Sequence, residues 1–236
     1  MISDIRGPAF SYGLFGAAPA QSPFKDGNIY VFWDRYFDRS GAVHKADAGF
    51  NAFADLKSEY SISFGTAQTE LRSYDGNLQT GYPFYHNPRN LRFDVSYAGL
   101  TYKPNSPSPI NAQYSWGAFG DFYLQQVTSS LTRPLGTRYT LSLEYDGTHE
   151  HFYSGPSDGQ WLRRVSFGWS IDRNSTLSIA LQNISGTGGF ALPGTNLSAS
   201  LHRIFPTNDE LYLSFGTPAA TQTVNRFLVK YVFKRE

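Results

Sequence analysis

Between Trp161 and Ile184 the chain alternates between bulky apolar residues and small or polar ones. Trp161, Val165, Phe167, Trp169 and Ile171 fall on one side of an extended chain, with Arg163 the exception. Leu162, Arg164, Ser166, Gly168 and Ser170 fall on the other. Past the polar stretch Asp172-Arg173-Asn174-Ser175 the alternation resumes, with Leu177, Ile179 and Leu181 set against Ser178, Ala180 and Gln182. Successive side chains of a strand point to opposite faces, so this is the pattern of a β-hairpin. The less bulky face is mostly Ser, Gly, Ala and Gln rather than the Lys, Glu and Thr of an open, watered surface. Such residues suit a confined space.

The same period recurs along the chain. Strands are predicted over 28–37, 46–56, 60–72, 91–102, 138–146, 196–205, 210–216 and 223–233, besides the two of that hairpin. Bulky positions share a face within each: Ile29, Val31 and Trp33; Phe50, Ala52 and Ala54; Tyr60, Ile62 and Phe64; Leu91, Phe93, Val95 and Tyr97. The connections alternate in length. Residues 57–59, 133–137, 172–175 and 206–209 are short, whereas 38–45, 73–90, 147–160 and 185–195 are long. Short turns on one side and long loops on the other is the arrangement of outer-membrane barrels, whose short turns face the periplasm. That alternation puts 103–109 and 133–137 on the same side, so two strands must lie between them, with a break at Gly117-Ala118-Phe119-Gly120. The expected fold is all-β, an antiparallel up-and-down transmembrane β-barrel of about twelve strands over residues 28–236. Residues 1–27, with scattered Gly and Pro, are expected to form an irregular lead-in or the remnant of an upstream segment. A soluble two-layer sandwich acting as a binding module is the alternative; it would bring the bulky faces together in a dry centre.

Composition favours the barrel. Charged residues make up 17% and aromatics 17% of the 236 residues, with Tyr and Phe far outnumbering Trp. Low charge and many aromatics, without any long apolar run, is what a barrel produces, because only alternate residues touch lipid. No stretch approaches the ~20 apolar residues of a spanning helix. The formal net charge of +1 gives no global attraction to nucleic acid. With no cysteine, disulfides and thiolate metal sites are excluded. The first residues lack a basic region followed by an apolar core, so they are not a signal peptide.

Few residues suggest chemistry. His149 and His151 flank Glu150 in what reads as a loop, with Glu144 and Asp158 as helpers; with no third ligand marked, a polar surface loop is the more ordinary account of them. A serine could pair with His149, His151 or His202 in a barrel-scaffold hydrolase, but no G-x-S-x-G is present, and neither a metal nor any other cofactor is expected. The charged positions expected to face the lumen are Arg92, Asp94, Asp121, Glu144, Arg164, Glu210 and Lys230. Their mixed signs suit either a lumen cross-linked by ion pairs or a narrow pore. Tyr82, Tyr85, Phe152 and Tyr153 could stack on sugars or anchor the loops.

Two resemblances bear on the reading. Phe227, Val229, Tyr231 and Phe233 resemble the alternating aromatic signal by which the barrel assembly machinery reads a terminal strand, although the chain runs on through Lys234-Arg235-Glu236. Asp209-Glu210-Leu211-Tyr212-Leu213-Ser214-Phe215-Gly216, followed by Asn225-Arg226-Phe227-Leu228-Val229-Lys230-Tyr231, is similar to the end of a bacterial barrel family of unknown function. Trp161-Leu162-Arg163-Arg164 leading into Ile171-Asp172-Arg173-Asn174-Ser175, and His44-Lys45-Ala46-Asp47, are further echoes. That family forms the C-terminal part of longer surface proteins labelled membrane-bound hydrolases, whose N-terminal part is similar to a carbohydrate-binding β-sandwich. The resemblance implies a location in the bacterial outer membrane, with lipid, the assembly machinery and an upstream carbohydrate-binding-like domain as partners. It implies a membrane anchor or small-solute channel and supplies no catalytic motif.

Overall fold

The structure, a computed structural model, describes residues 6–37, 41, 43–73, 89–103, 106, 108–120, 122–187, 192–217, 220 and 222–234. All regular structure among them is β-strand. The thirteen strands are β1 (Ala9–Ala17), β2 (Phe24–Phe37), β3 (Val43–Leu56), β4 (Tyr60–Ser73), β5 (Arg89–Tyr102), β6 (Ile110–Phe119) and β7 (Phe122–Leu135). They continue with β8 (Tyr139–Phe152), β9 (Ser157–Asp172), β10 (Ser175–Thr187), β11 (Gly194–Ile204), β12 (Glu210–Phe215) and β13 (Phe227–Val232). They form one sheet in consecutive order, an antiparallel up-and-down meander.

The chain divides into two compact units. One comprises Met1–Leu100, Gln113–Gln125 and Glu150–Pro156; the other comprises Thr101–Ala112, Gln126–His149 and Ser157–Glu236.

All twelve expected strands are present, and the break near Gly117–Gly120 is real: β6 ends at Phe119, and Gly120 turns the chain at φ 65° before β7. Two expectations need correction. Residues 1–27 are not an irregular lead-in throughout, because Ala9–Ala17 pairs along its length with β2, from Ala9↔Asp34 to Ala17↔Asp26. The strand count rises accordingly from twelve to thirteen. Gly13 and Gly16 lower intrinsic strand preference, so β1 is stabilised by its partner rather than by its own sequence. The stretch 147–160 is likewise mostly strand: β8 runs to Phe152 and β9 starts at Ser157, leaving a turn of four residues.

Three short turns pass through the left-handed region, two of them at residue types that favour it and one at Glu59. Glu59, Gly136 and Asn208 take φ of 66°, 73° and 61° in the turns before β4, β8 and β12. Asn and Gly are the usual occupants of that region. In the turn after β9, Asp172 accepts from the Asn174 amide at 2.7 Å and from the Ser175 hydroxyl at 3.2 Å, an Asx-type closure.

Candidate functional site

Register assigns the side chains to faces. In the first unit, Leu14↔Ile29↔Ala52↔Phe64 and Tyr12↔Val31↔Phe50 lie in rows across β1–β4, and Ile62 opposes Ala54 on the same side. Trp116 of β6 joins this bulky face, its ring 6.4 Å from Phe64 and 5.3 Å from Tyr114. The opposite face carries Ser11, Gly13, Gly49, Asn51, Ser61, Ser63 and Gly65 together with Phe15, Tyr30, Phe32 and Phe53. Rings on that face sit over glycines. Phe32 lies over Gly49, and a Cβ at Gly65 would come within 2.5 Å of the Tyr97 ring. Tyr97 also donates to Asn51 Oδ1 at 3.2 Å.

In the second unit, Trp169↔Leu177↔Leu201↔Leu213↔Val229 and Phe167↔Ile179↔Ala199↔Phe215↔Phe227 form bulky rows, extended by the Tyr139 ring stacked on Phe167 and Trp169. The other face carries Gly168↔Ser178↔Ser200↔Ser214 and Arg164↔Gln182↔Asn196.

The bulky faces are bare. Val165, Ile179 and Leu181 are 44%, 38% and 48% exposed, and Phe10, Tyr12, Leu14, Ile29, Trp33, Ile62 and Phe64 are exposed as well. Among the described residues the buried apolar side chains are Phe122, Leu124 and Ile184, whereas Ser61, Ser115, Glu150, Ser175, Gln182, Asn196 and Ser198 are buried polar ones. This inverts the usual distribution, in which apolar residues dominate the fully buried set. The bulky residues of the Trp161–Ile184 hairpin therefore do not gather in a dry centre.

The charged positions expected on the small-residue face divide. Glu144 and Arg164 are on it, 4.0 Å apart and partly exposed, which makes the pair worth at most ~1 kcal/mol. Glu210 and Lys230 are on it beside Tyr212, with the Lys230 ammonium 5.7 Å from the Tyr212 ring centroid. Arg92 and Asp94 are not. Ser96 bonds to Thr66, which shares the face of Phe64, while Tyr97 reaches Asn51 and Gly65. Strand alternation then puts Arg92 and Asp94 on the bulky face, bonded to each other at 3.0 Å, and puts Phe93, Val95 and Tyr97 on the small-residue face. The expectation for β5 is reversed because the glycine rows next to it leave room for rings. Asp121, Tyr82 and Tyr85 lie outside the described residues.

His149, Glu150 and His151 lie in β8 rather than in a loop. Alternation sets both histidines on one face and Glu144 on the other, so the three do not converge. Asp158 is in β9. Among the described residues no group of three or more His, Asp and Glu is placed to hold a metal ion. Of the aromatic loop candidates, Tyr153 is exposed in the β8–β9 turn, and Phe152 packs on Phe122. Phe227, Val229 and Tyr231 share the face of Leu211, Leu213 and Phe215, and the Phe233 ring lies 4.6 Å from Tyr231.

Two clusters have no signature in the sequence. Glu210 accepts from His202 Nε2 at 3.2 Å, from the Tyr212 hydroxyl and from the Lys234 ammonium, while the His202 ring stacks on Tyr212 at 4.3 Å. This network ties β11, β12 and the residues after β13. Beside it, in the turn before β12, Asp209 accepts from the Lys234 amide, the Thr207 hydroxyl and the Tyr231 hydroxyl, which holds its carboxyl below the ordinary carboxylate range. The second cluster is a chain of phenyl rings: Phe93, Phe119, Phe122 and Phe152.

Comparison with protein-family models, with curated proteins and with solved structures found no match to this chain.

Proposed function

We propose that this chain is a bacterial outer-membrane β-barrel whose bulky faces meet lipid, serving a longer surface protein as a membrane anchor or small-solute channel. The observation that carries the reading is a face of exposed large apolar side chains in both units, set against a reverse face mostly of Ser, Gly, Asn and Gln in the second unit and of such residues interspersed with Tyr30, Phe32 and Phe53 in the first. Water would penalise so much bare apolar surface, and acyl chains do not. The spacing of the tryptophans fits as well. Trp161 and Trp169 bracket Val165 and Phe167 on β9. Eight residues span ~26 Å along a strand, or ~20 Å along the membrane normal at a ~40° tilt, close to the ~25 Å apolar band of such barrels. Tryptophan and tyrosine favour the two interfaces. Arg163, the one charge on this face of β9, lies two residues from Trp161, where its head can reach the interface and where it bonds Ser185 at 3.5 Å.

Backbone pairing supports the same reading and sets a demand on it. An antiparallel meander satisfies its amides through neighbouring strands, which suits hydrocarbon. β1 and β13 each pair with one neighbour among the described strands, so in a bilayer each needs a second partner to close the sheet. The anchor role, the assembly machinery as partner and an upstream carbohydrate-binding-like domain follow from the family resemblance.

The test is purification with and without detergent, followed by electrophoresis of heated and unheated samples. A membrane barrel requires detergent and changes mobility on heating. A chain that stays monodisperse in plain buffer and migrates identically under both conditions is not one.

A further inference from the structure

Phe93, Phe119, Phe122 and Phe152 form an unbroken chain of rings, with centroids 4.6 Å, 5.5 Å and 5.2 Å apart and tilted geometries. All four belong to the first unit. They come from the first half of β5, the end of β6, the start of β7 and the end of β8, so they collect at one end of these antiparallel strands. It is the end at which β4 finishes and β5 begins, opposite the short turn at 57–59. The rings lie on the small-residue face. Phe93 alternates in register with Tyr97 over Gly65, and Phe119 with Ser115 and Gln113, opposite in parity to Trp116 on the bulky face. Polar residues line the face as well, Asn51, Ser61, Ser63, Gln113 and Ser115, interspersed with the separate rings of Tyr30, Phe32, Phe53 and Tyr97.

We propose that this four-ring cluster is a hydrophobic barrier to water and ions along the polar face of the barrel. The proposal rests on the membrane-barrel reading above. Water bonded to Ser, Asn and Gln finds no partner among phenyl rings, and hydrophobic constrictions exclude water and the ions that travel with it. The rings are packed on one another rather than offered to a ligand. Phe122 is buried and the other three are half-buried, which leaves little ring surface for stacking a sugar. The separations match the preferred distances of aromatic pairs, so the cluster holds together without a bound solute. A channel built this way conducts poorly at rest.

The test is single-channel conductance of the full chain in a planar bilayer bathed in potassium chloride. The wild type, Phe122→Ser and Phe122→Leu are compared, and heat-dependent mobility is read on each as the check of folding. Wild type and Phe122→Leu are expected to conduct little, and Phe122→Ser about fivefold more or better, because Leu keeps the barrier apolar and Ser wets it. A purely structural role would not separate Ser from Leu once both are folded. If Phe122→Ser does not fold, Phe152→Ser, at the last residue of β8, replaces it. A wild type that already conducts as an open pore overturns the proposal, as does a folded serine variant whose conductance is unchanged. Failure of the barrel reading itself is separate: it shows as loss of the detergent requirement and the heat shift in the wild type.

Discussion

Val165 offers the sharpest test of which medium touches the bulky face. It is 44% exposed and sits on β9 four residues from Trp161 and four from Trp169. At ~3.3 Å per residue it lies ~13 Å along the strand from each, near the middle of the apolar band. On a watered surface Val165→Arg would change stability by no more than ~0.5 kcal/mol. At the midplane of a bilayer an arginine costs ~2–4 kcal/mol. At ~1.4 kcal/mol per factor of ten, that lowers the folded-to-unfolded ratio ~30- to ~700-fold. Ser170→Arg, an exposed position on the opposite face of the same strand, serves as the control and should cost less than ~1 kcal/mol, because substitutions facing an aqueous interior change selectivity more than stability. Both variants would be unfolded by urea from phospholipid vesicles, with the heat-dependent mobility shift reporting the folded fraction. A Val165→Arg penalty no larger than that of Ser170→Arg would refute the assignment of faces to lipid and water.

Two further outcomes follow from particular contacts. Gly65→Ala should destabilise by ~1–3 kcal/mol because its new Cβ meets Asn51 and the Tyr97 ring; in a Tyr97→Ala background the cost should shrink but not vanish, since the Asn51 contact remains, a coupling that denaturant midpoints of the four variants measure. Asp209, its carboxyl held below the ordinary range chiefly by the Lys234 amide, contributes stability that is complete above about pH 4 and is lost as pH falls through the lower folded value. The protection factor of the Lys234 amide, the slowing of its exchange relative to an unstructured amide at the same pH, should therefore fall in acid, and Asp209→Asn should abolish that dependence.

Most of the architecture was legible locally, because a strand writes its two faces into its own alternation. Ile29, Val31 and Trp33, or Leu177, Ile179 and Leu181, announce both the strand and the side on which bulk lies. Turn residues and the parity of short and long connections located the break at Gly117–Gly120 without any tertiary knowledge. The site was less legible. Glu144 and Arg164 meet because β8 and β9 pair in one particular register, and the Glu210 network gathers side chains from three strands' worth of chain.

The sequence by itself determined the element type, the antiparallel order and the chemistry of alternate positions, because these depend on backbone period and on turn residues a few positions apart. Only the tertiary structure decided that residues 9–17 become a strand, since a weak β-former is held by the ladder it joins. It also decided which face of β5 points where. Alternation gives two sets of residues but no sign, and Gly65, which receives the Tyr97 ring and so leaves Arg92 and Asp94 to the other side, stands on a different strand.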